Sequence, residues 1–486
     1  MKTQIQKIIG LLTISSLLFV SCENVDFGDE NLNPNSISQA NTGALITGAM
    51  RNIPSIVSNS NAGILYAQHI SEITYNEDSC YETIQWNFDG FYTGPLMDLQ
   101  TVINLNNENP ELYSTSGSAG MQKGVAHLLR VYMFHAMTDR WGDIPYSEAL
   151  KGVDELKPAF DSQESIYTGL LAEIDAALGM LDGGGLQGDF MFNGSAAKWK
   201  QFGNTMKMVI ALRMADVNPS VAEAKFKEAV SGGVLTSNDD NMHYPYTVSD
   251  DNDSPWQDRF QSREDFAASD TMVDHLFANN DPRLAKFAAP VKNTGGDPSK
   301  IDYVEYGGNT YAGMPYGVLS PGILQTTISF LPSSVIYDGT NAGGMIYSYA
   351  QVCFSYAEAH LRGWSGLAGD AQTWYELGIA ASHAQWGVAN ADAATYLASV
   401  APVSMETMAT EKWIALYMQG NEAWAEWRRL DYPALTPATD ALTGTGIPMR
   451  HGYGANTASS NKANHDAAVA KISGYSQDSK MWWDTK

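Results

Sequence analysis

Apolar residues recur along this chain at the three- and four-residue spacing of an amphipathic helix. In "DSQESIYTGLLAEIDAALGML" the stripe is Ile166, Leu170, Ile174, Leu178 and Leu181. Asp161, with Glu164 three residues on, is the expected N-cap and capping box of that helix. "SAAKWKQFGNTMKMVIALRMAD" repeats the pattern through Trp199, Phe202, Met206 and Ile210, and "AGMQKGVAHLLRVYMFHAMTD" has the same character. A second helical block runs from about Met345 to Leu430, with Gly363, Gly378 and Gly420 near breaks or close packing points. Between the blocks, residues 236–344 are rich in Gly, Pro, Asp, Asn and Tyr and lack periodicity, which predicts irregular loops with short strands or helices. The tail after Pro433 is again loop-like. No stretch has the composition of a flexible linker, so one unit with a long insertion is expected. "TWYELGIAAS" fits the W-x-x-L-G start of a tetratricopeptide repeat through Trp374, Leu377 and Gly378, with Ala381 where that repeat prefers Tyr. Stacked helix pairs of this kind form binding surfaces.

The first residues read differently. Lys2 and Lys7 precede an apolar run from Ile8 to Val20, 13 residues long. A membrane-spanning helix takes roughly 20 residues, whereas a signal-peptide core has this shorter length. Cys22 follows at once, and Phe-Val-Ser-Cys resembles the lipobox of bacterial lipoproteins, in which the thiol receives the lipid. Residues 1–21 are therefore expected to be a signal peptide and Cys22 the lipidated residue. More than one acyl chain anchors a protein stably. Glu23, Asp26, Asp29 and Glu30 make the following stretch, residues 22–36, an acidic, Asn-rich tether. In Bacteroidota-type lipoproteins such a stretch resembles a signal for display on the outer face of the cell.

Charge narrows the ligand. The formal net charge is −25. Residues 1–21 hold two lysines and no acids, so their removal takes it to −27. Nucleic acid is thereby disfavoured, because its affinity rests on Lys and Arg neutralising phosphates. Two cysteines remain beyond Cys22; Cys80 and Cys353 permit a disulfide in an exported protein, though nothing requires one. No H-E-x-x-H, G-x-S-x-G, P-loop or G-x-G-x-x-G motif is present. His127 and His135 share a helical segment without a third ligand nearby, and read as ordinary core or surface histidines. The run Asp250 to Asp253 offers hard oxygen ligands, but lacks the Gly and Glu of a calcium loop. No metal, cofactor or catalytic constellation is expected. Aromatic islands are more informative: "EITYNEDSCYETIQWNFDGFYTG", "VSDDNDSPWQDRF" and "IDYVEYGGNTYAGMPYG" mix rings with amides and acids. Sugars present C–H faces to rings and hydroxyls to such polar partners.

Several segments together resemble the SusD/RagB family of outer-membrane nutrient-binding lipoproteins. They are "ENLNPNS", "MTDRWGDIPYSEAL" (Asp139, Gly142, Asp143, Pro145, Tyr146), "KWKQFGNTMKMVIALRMAD" and "NNDPRL". "YAQVCFSYAEAHLRGW", "EKWIALYMQGNEAWAEWRRLDYPAL", "IPMRHGY" and the terminal "MWWD" follow in order. The resemblance covers essentially the whole chain. It implies an all-α, tetratricopeptide-like helical scaffold with long irregular loops and few short strands, forming a single domain over residues 37–486. It further implies a non-enzymatic, cell-surface lipoprotein of the outer membrane. Such a protein captures oligosaccharides, or peptides in some branches, for a SusC-like TonB-dependent transporter. Trp199, Arg213, Asp281, Arg283, Glu358, Trp424 and Arg429 are expected to fix the scaffold. The family's ligand contacts lie in variable loops, so the candidates here are loop aromatics: Tyr81, Trp86, Trp256, Tyr303 and Tyr306.

Overall fold

A computed structural model describes residues 40–486 except 59, 248, 338–343 and 473–475. Cys22, the acidic tether and the "ENLNPNS" element lie outside the described residues. The residues from Thr42 to Lys486 form one compact unit. No helix among the described residues is long and apolar enough to cross a membrane.

Packed helices build the unit: α1 (Thr42–Met50), α2 (Met97–Glu108), α3 (Ala119–Trp141), α4 (Gln163–Met180), α5 (Ala196–Arg213) and α6 (Pro219–Gly232). After the middle segment come α7 (Tyr349–Leu361), α8 (Ala371–Gln385), α9 (Met405–Ala415) and α10 (Gly420–Leu430). Neighbours in sequence pack as pairs, α3 with α4, α5 with α6, and α7 with α8, and α7 also packs on α9 and α5. The fold is all-α with a tetratricopeptide-like layout. Strands are short, and among the described residues they form two-stranded pairs only.

Local chemistry starts these helices where side-chain oxygens reach orphan N–H groups. Ser118, Ser195, Ser348, Asp370 and Ser404 each accept a bond from the backbone three residues on. At α4 the cap is Ser162, not the expected Asp161–Glu164 pair. The helix begins one residue later because Asp161 sits in the strand Phe160–Asp161, paired with Ile144–Pro145. There its carboxylate accepts from Tyr146 N (3.0 Å), Ser147 N (2.8 Å) and Ser147 Oγ (2.8 Å).

The expected stripes face the core. Ile166, Leu170, Ile174, Trp199, Phe202, Met206 and Ile210 are fully buried, with Leu178 partly so. Gly378 is where the repeat-like segment makes its closest approach. A Cβ at this position would lie 2.9 Å from the Phe354 ring of α7. Trp374 on the same helix stacks on Tyr356 at 4.1 Å and 9°. Gly378→Val should therefore cost about 1–3 kcal/mol through overpacking, read as a lower urea midpoint at unchanged slope. Gly420 plays the same part at the start of α10, where a Cβ would lie 2.3 Å from Ile64 N.

The irregular middle segment is not an appended loop. Its short helices Pro255–Phe260 and Asp270–Ala278 and its strand Phe266–Ala268 build a core of their own, closed by Trp413, Ile414 and Tyr417 from and just after α9. Cys80 and Cys353 are both buried and unbonded, so the permitted disulfide is not formed.

A buried charge network joins the two helical blocks. Arg213 of α5 pairs with Asp139 of α3 (3.1 Å), and with Glu422 (2.6 Å) and Glu426 of α10. Arg429 holds both oxygens of Glu358 on α7 (2.5 and 2.6 Å) and reaches Glu426 (2.7 Å), which Lys412 of α9 also holds at 2.5 Å. Burial alone would raise the Glu358 carboxyl, but Arg429, Arg362 and Lys412 bring it down to about 2. Arg283 is clamped in the same way by Asp281 (2.5 Å) and Glu411 (2.6 Å).

Candidate functional site

The chain segment around Trp86 is fixed from two sides. Gln85–Trp86 pairs in parallel with Gly452–Tyr453, and the Trp141 indole donates to the Trp86 carbonyl at 3.0 Å. This pins a half-buried tryptophan beside the C-terminal end of α3. Its ring stacks on His451 (5.1 Å, 24°), and His451 stacks on Trp424 (5.2 Å, 28°). The Arg428 guanidinium closes the column 3.6 Å from the Trp424 ring centre, within cation–π range. Arg428 in turn donates to Asp139 O (2.9 Å) and Met449 O (2.7 Å), so the column is rooted in the scaffold. Burial first, then Arg140, Arg428 and Arg450, hold His451 well below the usual histidine range, and its ring is neutral.

Trp86 forms one wall of a cleft of about 330 Å³, open to solvent. Phe91 and Trp141 add aromatic surface, while Asn52, Ser55 and Asn87 supply amide and hydroxyl groups. Arg140 lines the cleft as well, lying 4.6 Å from the Trp141 ring centre and 5.5 Å from that of Phe91. Both His451 ring nitrogens are buried without a hydrogen-bond partner. A rigid ring with amides and a hydroxyl around it can stack a sugar face and bond its hydroxyls.

The other sequence candidates do not gather here. Tyr81 is buried, its hydroxyl accepts from Ala438 N at 2.9 Å, and it packs edge-on against Tyr66. Trp256 is buried as well, edge-on to Phe266 at 5.6 Å in the core of the middle segment. Both were expected at a ligand face and instead serve as satellite cores under irregular chain, where large rings supply most of the apolar area. The Tyr303 hydroxyl accepts from Gly296 N at 3.0 Å, and its ring packs against the small cluster that contains Ile301 and Met314. Tyr306 lies on the hairpin Val304–Tyr306/Asn309–Tyr311 and lines a recess of about 360 Å³ that shares no residue with the Trp86 cleft. Phe91, Asn87, Arg140 and His451 were not singled out from the sequence. The first two sit in the same aromatic island as Trp86, and the last two lie in segments that read as scaffold motifs.

A family model named SusD-like, described as starch-binding and associating with the outer membrane, matches residues 34–454. The chain belongs to the SusD-like family. Solved structures agree with that membership. A chitin-binding protein is 26% identical, with a TM-score of 0.79 over 92% of this chain and 100% of its own. A chitin-binding SusD homologue from Flavobacterium johnsoniae is 24% identical, with a TM-score of 0.73 over 91% and 99%. A SusD homologue from Bacteroides uniformis is 22% identical, with a TM-score of 0.74 over 92% and 100%. No curated protein matches the chain. Within the SusD-like scaffold here, the residues expected to fix the fold do so: Trp199 donates to Asp189 at 2.7 Å, Trp424 to Pro448 O at 2.7 Å, and the paired arginines are buried.

Proposed function

We propose that this SusD-like protein binds glycans at the Trp86 cleft and passes them to a SusC-like TonB-dependent transporter, held to the outer membrane by lipid on Cys22. It acts as a binding protein and not as an enzyme. The observation that carries the reading is the Trp86 ring, held flat on His451 beside a cleft edged with Asn52, Asn87 and Ser55. A prebuilt stacking platform loses little order on binding, which is where much of a glycan's affinity is otherwise spent. The family description, starch-binding and outer-membrane associated, and two chitin-binding structural relatives support the same ligand class.

Calorimetric titration against oligosaccharides of several linkages, with mixed peptides as a second panel, tests the proposal. Binding should be confined to a glycan class. Trp86→Ala should weaken it by about 1–3 kcal/mol, roughly 5- to 150-fold, as one ring stack and its buried area are lost. Binding of peptides alone would move the protein to a peptide-uptake role on the same scaffold. Retained glycan affinity in Trp86→Ala would place the site elsewhere.

A further inference from the structure

The charge of the Trp86 cleft is opposite to that of the protein. The chain carries a formal net charge of −25, yet among the described residues that line the cleft none is acidic, and one, Arg140, is cationic. Arg140 is only 4% exposed. Arg213, Arg283 and Arg429 are each held by carboxylates of two or three side chains, and Arg428, which meets no carboxylate, donates instead to the carbonyls of Trp424, Asp139 and Met449. Arg140 differs. Its Nε donates to the Ala136 carbonyl of its own helix at 2.9 Å, and its Nη2 is buried without a hydrogen-bond partner. Its guanidinium carbon lies over the Phe91 and Trp141 rings. Burial pulls its guanidinium down to about 10, opposed by Tyr132 and Asp139, so it remains charged at neutral pH.

A buried guanidinium with a donor that meets neither a carboxylate nor a carbonyl is a costly arrangement, and the scaffold contacts of Arg140 do not account for it. It sits beside a stacking ring and sugar-sized amides, with an unsatisfied donor, at the edge of a cleft. We infer that the Trp86 cleft takes an acidic saccharide, one bearing a carboxylate or sulfate that pairs with Arg140. This rests on the reading of the cleft as a glycan site and narrows it to a substrate class. Planar, two-pronged recognition of such groups is what guanidinium geometry favours.

The test titrates the full chain in mild detergent with matched ligands: a uronic-acid oligosaccharide, the same oligosaccharide with its carboxyls reduced to alcohols, a sulfated neutral oligosaccharide, and an acidic peptide. The expected result is about tenfold or greater preference for a charged oligosaccharide over its uncharged counterpart, shrinking as salt rises. The uronate and sulfate arms identify which anion is used. In Arg140→Gln that preference ratio should collapse towards one. Should this variant fail to fold, the matched pair on the unaltered protein still decides. Equal affinity for charged and reduced forms overturns the inference and leaves the glycan reading standing. A preference that survives in folded Arg140→Gln overturns the role of Arg140. Tighter binding of the acidic peptide than of any saccharide overturns the saccharide class, and silence from every ligand overturns the glycan reading itself.

Discussion

Arg213→Met should lower the stability of the fold by about 3–5 kcal/mol, because it removes from a buried carboxylate cluster the one cation that all three acids share. Asp139, Glu422 and Glu426 converge on this one side chain from α3 and α10. Methionine fills much of the volume, so the loss measures charge and not a cavity. Urea unfolding should show it as a lower midpoint. A loss under about 1 kcal/mol, typical of exposed pairs, would mean that water reaches the cluster and the network is not the clamp between the helical blocks. Acid should act in the same direction. Glu358 titrates at about 2 in the fold, below the ordinary carboxylate value of 4.5. Its contribution is therefore fully present above that ordinary value and is lost as pH falls through about 2. The buried, neutral His69, down at about 3, adds to the loss below the usual histidine pKa of 6.5.

Trp256→Ala should cost about 3–5 kcal/mol, the range for emptying a large aromatic site in a core. The ring is 1% exposed and lies among Phe260, Phe266, Met272 and Leu276, with Arg259 4.7 Å from its centre. Trp256→Phe should cost less, since it keeps a ring and removes an indole N–H that has no hydrogen-bond partner. Neither change touches the Trp86 cleft, so glycan affinity per folded molecule should hold. That separates the two tryptophans: position 86 is read out in binding and position 256 in unfolding. Loss of affinity in a folded Trp256→Phe protein would show the middle segment to be part of the binding face.

Why one loop aromatic lines a cleft and another fills a core is a matter of what sequence can carry. Helical periodicity is local, so the stripes at Ile166–Leu181 and Trp199–Ile210 are legible in the order of residues alone. The paired charges are legible as motif residues, Arg213, Glu358 and Arg429, though their partners are not. Loop aromatics have no period, and their exposure depends on contacts far away in sequence. Tyr81 is covered by residues near Ala438, and Trp86 is propped by His451, each more than 350 positions distant. Arg140 is hidden differently: inside "MTDRWGD" it resembles a scaffold residue, and only the lack of any hydrogen-bond partner at its Nη2 sets it apart. The cap of α4 differs from expectation by one residue, decided by a strand pairing at Asp161 that no helix rule contains.

The two buried thiols carry a practical consequence. Burial pushes Cys80 up to about 11 and Cys353 up to about 12, so neither presents a thiolate at neutral pH, and it is the thiolate that reacts. A cysteine introduced at Asn87, exposed on the cleft rim, would be the one readily alkylated thiol within Thr42–Lys486. A dye or spin label would then attach at a single address beside Trp86, without first stripping the native cysteines from the core.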